Sequence, residues 1–314
     1  MPAPHKPNLK IGLFSALTAT ALLAGCAVGP DYKRPDSTLP EQYSQAEPVP
    51  AARAEAPVNP EWWTLFGDAS LNALVAQALA ANQDLQAAIA RLEAADAYAR
   101  EINSAYYPTV NLDAASSRLS TSGVTYNGQK MGGAIYNNRR AALALSYEVD
   151  LWGRIRRMNE AAEADALASR FASDAVRLTL TGQVASEYLI LRAHDAEVAV
   201  SQETVASRQE TLRIVQARLD AGSASGLELA QAENSLATAQ SQLSQLKRMR
   251  ALSENQIGLL SGQPGLQIPV NLTPLPLPPV PPPGLPSTLL EARPDVRQAE
   301  EKLVAANARI GVAK

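Results

Sequence analysis

Ser146-Tyr147-Glu148-Val149-Asp150-Leu151-Trp152-Gly153-Arg154-Ile155-Arg156-Arg157 is the stretch where one periodicity gives way to another. Up to Asp150, Ala141, Leu143, Leu145, Tyr147 and Val149 alternate with Ala142, Ala144, Ser146, Glu148 and Asp150. This two-residue period belongs to a strand with one apolar face. After Gly153 the period becomes seven: Val184, Leu191, Val198, Val205, Leu212 and Leu219 form one heptad line,. No proline occurs from Thr109 to Gln263, and Gly182 is the only glycine between Arg154 and Leu219. The pattern predicts one helix over Arg154–Leu219, 66 residues, about 100 Å long at 1.5 Å per residue. A strand feeding a helix of that length predicts a rod joined to a β structure.

Working outward, Leu219-Asp220-Ala221-Gly222 ends the helix, with Gly222 as a left-handed cap,. Ser225-Gly226-Leu227-Glu228 is a capping box that opens a returning helix over Gly226–Ser261,. Leu229, Leu236, Leu243 and Ile257 share one heptad line, broken by Arg250. Ala232, Ala239, Leu246 and Leu260 share the companion line, broken by Ser253. Gly222–Ser225 is therefore the tip of an antiparallel helical hairpin spanning 154–261, the end farthest from the strands. Arg218, Gly222, Ser223, Ser225 and Leu227 are the candidate contact residues there. The alternative is that they do no more than cap two helices.

On the other side, Thr109–Leu119 and Arg139–Asp150 read as two strands joined by the glycine-rich Ser120–Asn138 loop,. Their length, 11 or 12 residues, is close to the roughly 9–11 that a membrane β-strand needs. A soluble hairpin is the alternative. Before them, Leu71–Ala81 is a short helix, Asp84 is the expected N-cap of a helix over Asp84–Tyr106, and Trp62-Trp63 with Phe66 form an aromatic cluster under a loop,. From Gly262 to Pro286, ten prolines make an extended crossing,.

The first helical segment recurs 211 residues later: Ala81, Asp84, Ala88, Leu92, Ala95 and Ala97 match Ala292, Asp295, Ala299, Leu303, Ala306 and Ala308. Leu85 and Ala99 meet Val296 and Ile310, and Pro294 stands where Gln83 does. The expectation is a two-repeat protein: a first unit over 61–261, the crossing over 262–286, and the start of a second unit over 287–314. That second unit stops at Lys314, equivalent to Asn103, and the repeat predicts an intact protein of about 470 residues.

The N-terminus has its own logic. His5, Lys6 and Lys10 precede an apolar run from Ile11 to Ala24, too short to span a membrane and ordered like a signal peptide over 1–25,. Leu23-Ala24-Gly25-Cys26 resembles the bacterial lipobox, which would make Cys26 the lipid-attachment residue. A buried free thiol is the alternative. Residues 26–60 are proline-rich, polar and extended. Net charge −3 and pI near 5.6 argue against a nucleic-acid partner,. The two histidines, His5 and His194, stand alone, and there is no metal-ligand spacing and no phosphate loop. The expectation is a protein that is not an enzyme and needs no metal or other cofactor.

Five stretches then carry a family resemblance: Gly25-Cys26-Ala27-Val28-Gly29-Pro30-Asp31-Tyr32, Trp62-Trp63 with Phe66, Tyr147 through Asp150-Leu151-Trp152-Gly153-Arg154, Gln231-Ala232-Glu233, and Arg293-Pro294-Asp295-Val296. The chain resembles the TolC-like outer-membrane factors, in the NodT-type lipoprotein branch of RND efflux systems. The resemblance implies a mainly α fold with a membrane β-hairpin. Helices would form an α-barrel tunnel, and a homotrimer would close a twelve-stranded transmembrane β-barrel. It makes Asp150, Trp152, Gly153 and Arg154 the strand–helix junction. The implied function is a passive exit duct for drugs or other small molecules, lipid-anchored in the outer membrane and reaching into the periplasm. Its partners would be a periplasmic adaptor (membrane fusion) protein, an inner-membrane RND-type pump and outer-membrane lipid. Two other readings use the same elements: a type I secretion exit duct, and a periplasmic adaptor. An adaptor should carry glycine-rich, lipoyl-like β halves around its hairpin, where this chain has heptads and prolines.

Overall fold

Helix α3 runs unbroken over Arg154–Asp220, 67 residues. The computed structural model that places it describes residues 28–35, 60–120, 133–276 and 290–314. Cys26, the leader, most of 26–60, the tip of the strand loop and the polyproline core of the crossing lie outside the described residues. The other elements are a 3-10 turn at Trp62–Phe66, α1 (Ala69–Ala81), α2 (Gln83–Asn103), a second 3-10 turn at Ser104–Tyr106, β1 (Thr109–Ser120), β2 (Ile135–Ser146), α4 (Gly226–Leu260) and α5 (Pro294–Ala313). Among the described residues no helix is long and apolar enough to cross a membrane.

The chain divides into two compact units. One comprises 36–93 and 168–299, and its core gathers Trp63, Leu71, Val75, Val184, Tyr188 and Ile257. The ring of Trp62 meets that of Trp63 edge-on at 6.2 Å and Phe66 packs against the same core, so the aromatic cluster is structural. The heptad line of α3 is fully buried at Val184 and Leu191 and half-buried from Val198 to Leu219. The two breaks in the α4 pattern stay on its covered side: Ser253 is buried, and Arg250 reaches Asp195 of α3 at 2.6 Å. An arginine holds a core position here because its guanidinium has a buried carboxylate to meet. The ion pairs 195/250 and 218/228 recede evenly from the turn, so α3 and α4 run antiparallel.

The first half of the crossing lies along this unit without regular structure. The Ile268 N–H donates to Glu254 at 2.6 Å, Arg250 donates to the Ile268 carbonyl at 2.7 Å, and Arg192 donates to the Thr273 carbonyl at 2.5 Å. Gly262, at φ +68°, comes so close to Ala81 that an added Cβ would stand 2.9 Å from its carbonyl oxygen.

The other unit comprises 94–167, 300–314 and the N-terminal residues through Pro35. β1 and β2 form a two-stranded antiparallel sheet, with Thr109 opposite Ser146 and Ser120 opposite Ile135. β2 therefore lies four residues earlier than the Arg139–Asp150 expected from alternation. Pro108 has no N–H to continue the ladder past Thr109, so Tyr147–Asp150 lie outside the ladder although their apolar alternation persists,. Val28–Pro35 crosses α3 and α5 in the same unit. Gly29 and Gly311 touch: a Cβ on Gly29 would stand 2.7 Å from the Gly311 Cα. Asn307 donates to the Pro30 carbonyl at 2.8 Å, and Arg157 bonds Asp31 at 2.5 Å.

A second correction concerns the start of α2. Asn82, not Asp84, is the cap: its Oδ1 accepts from the Leu85 N–H at 3.0 Å while its Nδ2 donates to the Leu260 carbonyl. Asp84 sits in the first turn, where its charge suits the helix dipole,. The helix also ends at Asn103, three residues short of Tyr106, in a 3-10 turn before Pro108. α1 begins at Ala69, two residues before the expected Leu71, because Asp68 caps it.

Candidate functional site

Two exposed places gather the residues singled out from the sequence. At the helical tip, α3 ends in a Schellman motif. The Gly222 N–H donates to the Leu219 carbonyl at 2.8 Å and the Ser223 N–H to the Arg218 carbonyl at 2.7 Å,. Gly222 takes φ +70° with open space around it, so glycine is there for its backbone and not for want of room,. Ser225 caps α4 by accepting from the Glu228 N–H at 3.2 Å,. Arg218 donates to the Ser223 carbonyl at 3.1 Å and lies 3.9 Å from the Glu228 carboxylate. The turn is thus tied internally, and Leu227 is left 69% exposed at its edge. Arg218, Gly222, Ser223, Ser225 and Leu227 all come together.

The strand–helix junction is built differently. Asp150 stands before α3 and its Oδ2 accepts from the Arg156 N–H at 3.0 Å. Burial alone would raise its pKa; the backbone N–H groups of Arg156 and Ile155, with the Arg156 charge, outweigh that and lower it,. Gly153 turns the chain at φ +82°, and Trp152 is 67% exposed while its carbonyl accepts from the Val28 N–H at 3.1 Å. Arg154 is held by Glu148 at 2.5 Å, a partner that sequence reasoning missed. The hydrogen bond from Arg154 is the main reason the Glu148 pKa is lowered. A spacing of six matches neither strand nor helix geometry, so no pattern flagged the pair.

Neither place holds a nucleophile paired with a base. Among the described residues no cluster of three or more His, Cys, Asp or Glu side chains could hold a metal. Both are suited to contact and shape, through exposed apolar side chains on a rigid backbone.

Residues 74–263 match the family model of the outer membrane efflux proteins. The chain is 31% identical over 297 residues to the cation efflux system protein CusC of Escherichia coli O6:H1, covering 93% of this chain and 62% of that protein. It is 32% identical over 310 residues to the toluene efflux pump outer membrane protein TtgC of Pseudomonas putida, covering 96% and 63%. The crystal structure of the Campylobacter jejuni CmeC outer membrane channel superposes with a TM-score of 0.79 at 26% identity, over 92% of this chain and 62% of that one. The chain thus spans less than two thirds of the length of these relatives. With more than half of its residues inside the family match, and the same mainly helical fold as solved channels of this kind, the chain belongs to the outer membrane efflux protein family.

Proposed function

We propose that this protein is the outer-membrane channel component of a tripartite efflux pump. It works as a passive duct, and an inner-membrane RND-type pump supplies the energy through a periplasmic adaptor. The observation that carries this reading is the antiparallel α3–α4 hairpin with its capped, exposed tip, on a chain of the outer membrane efflux family. Three copies would close a tunnel from such hairpins and a β-barrel from the strands. The strand argument is one of satisfaction. β1 and β2 each leave one edge unpaired, and in lipid an unpaired backbone group costs several kcal/mol, so a closed barrel must supply partners,.

A second repeat is supported by helix starts: α2 begins at Gln83 and α5 at Pro294, the same 211 residues apart as the sequence match. Cys26 is the proposed lipid anchor, and Cys26→Ser is expected to abolish labelling by an alkyne fatty acid. Asp150, Trp152, Gly153 and Arg154 are proposed as the rigid join between barrel and tunnel. Relatives are named for a cation efflux system and for a toluene efflux pump, and we take the cargo to be set in the pump more than in the duct.

The tip residues Arg218, Gly222, Ser223, Ser225 and Leu227 are the proposed adaptor contact. The test is a cysteine at Ser223 in cells that carry the cognate adaptor, with deletion of the encoding gene in parallel. Ser223→Cys is expected to crosslink to the adaptor, and deletion to increase susceptibility to exported compounds. Crosslinking from the Ser120–Asn138 stretch but not from Ser223, or unchanged susceptibility to every exported compound, would sink the proposal.

A further inference from the structure

The β-hairpin carries two arginines for which a duct has no evident use. In its register one face shows three apolar rungs, Val110–Leu145, Leu112–Leu143 and Ala114–Ala141, followed by Ser116–Arg139 and Arg118–Asn137. Arg118 and Arg139 are therefore diagonal neighbours, about 7–8 Å apart at Cα, on the face that is apolar lower down. Both are exposed, and among the described residues neither side chain makes a hydrogen bond or ion pair. No Asp or Glu shares that face; Asp113 lies on the other, as does Arg140 opposite Ala115.

The other end of the same hairpin is different. Tyr107, Tyr147 and Trp152 stand there 68%, 54% and 67% exposed. Tyr147 continues the face of Leu145 and Leu143, and from its level to Arg118 ten residues rising about 3.4 Å each cover about 34 Å,. Tilted by about 40°, they span about 26 Å, against an apolar band of about 25 Å between the interfaces of a membrane barrel. Rings thus mark one boundary and guanidinium groups the other, with leucines between.

We infer that Arg118 and Arg139 form a binding site for the phosphate-bearing headgroup of a bilayer lipid whose acyl chains lie on Leu112 and Leu143. A guanidinium binds phosphate through two parallel N–H donors, and an arginine at the edge of lipid keeps its stem on the apolar face. With no carboxylate on that face among the described residues, a lipid phosphate is the counter-ion that the pair would take. This rests on the reading of the hairpin as a membrane strand pair and adds to it a lipid class and two residues.

The test uses the full chain in phosphatidylcholine nanodiscs with and without bisphosphorylated lipid A, with bound lipid counted by native mass spectrometry. Wild type is expected to retain lipid A. Arg118→Gln with Arg139→Gln is expected to weaken retention about tenfold or more, since both guanidinium contacts to the phosphates are lost. Arg140→Gln is expected to behave as wild type, and dephosphorylated lipid A to bind wild type no better than lipid A binds the double variant. Equal retention by the double variant, or an equal loss in Arg140→Gln, would overturn the site. Nitroxides at Leu112→Cys and Leu143→Cys separate the two claims. If they meet oxygen in lipid while the double variant still retains lipid A, the site alone fails. If they meet an aqueous quencher instead, the membrane hairpin fails and takes the site with it.

Discussion

Asp68 shows how much one carboxylate can hold. Its Oδ1 caps α1 by accepting from the Ser70 and Leu71 N–H groups, at 2.8 and 3.2 Å. Its Oδ2 accepts from the Tyr188 hydroxyl at 2.8 Å and from Arg192 at 3.0 Å. The Asp68 and Arg192 side chains are only 9% and 8% exposed, so removing one leaves the other charge buried. Asp68→Ala is expected to cost about 3–5 kcal/mol in denaturant unfolding, the scale for breaking a buried pair. An ordinary cap loss would be about 1 kcal/mol. Burial would raise the Asp68 pKa; the hydrogen bonds from Tyr188, Leu71 and Ser70, with the Arg192 charge, outweigh it and lower it. A depressed folded-state pKa gives stability that is present above the unfolded value and lost as pH falls through the folded one. Wild type should therefore lose stability more steeply than Asp68→Asn below about pH 4, and parallel curves would refute the charge argument. None of this was legible in the sequence, because Asp68 and Arg192 are 124 positions apart and no local pattern links them. The Gly29–Gly311 contact was equally hidden, although Gly29 lies in a stretch that carried the family resemblance. A Cβ at residue 311 would stand 2.5 Å from the Val28 carbonyl oxygen. Gly311→Ala is expected to lift Val28–Pro35 off the helices, at about 1–3 kcal/mol, seen as faster proteolytic cleavage before Pro35.

At the scale of elements the sequence was a better guide where periodicity is long and local. The ends of α3 and α4 fall within one residue of the pattern, because Gly222 and Ser225 stop and start helices through their own backbone and side chain. The strands were less legible. Alternation sets which face a residue takes, and those faces hold, but it does not say where pairing stops. Pro108 on the partner strand decides that. The observed register yields a sharp contrast between neighbours on β2, Leu143 on the apolar face and Ala142 on the other. In the proposed barrel, Leu143→Arg is expected to cost about 2–4 kcal/mol of membrane insertion, the range for an arginine at mid-depth on a lipid face, whereas a lumen-side change would tune selectivity. The measurement is the folded fraction in vesicles, followed as a mobility shift in unheated gels. If Ala142→Arg impairs folding as much as Leu143→Arg, the two faces have been assigned the wrong way round.

For the whole molecule, the test of assembly lies in the helical unit. There Leu178, Val200, Leu252 and Leu259 stand 52%, 64%, 56% and 69% exposed. Val200 lines an open groove of about 820 Å³ with Thr204, Gln245 and Leu246, where side chains from α3 and α4 leave a furrow. Single exposed apolar residues need no explanation, but Val200 beside an open furrow with an apolar floor fits the proposed homotrimer, in which a neighbouring copy covers it,. Burying a valine is worth about 1.5–3 kcal/mol, and a threefold assembly counts that contribution at every interface. Val200→Lys would replace it with an uncompensated charge while leaving the Asp68 and Asp195 networks untouched. It is expected to shift the purified protein from trimer to single-chain mass by light scattering, with helical content by circular dichroism unchanged. A trimer that survives Val200→Lys at nanomolar dilution would mean that this furrow faces solvent or the duct interior, and that the copies meet along another side of α3.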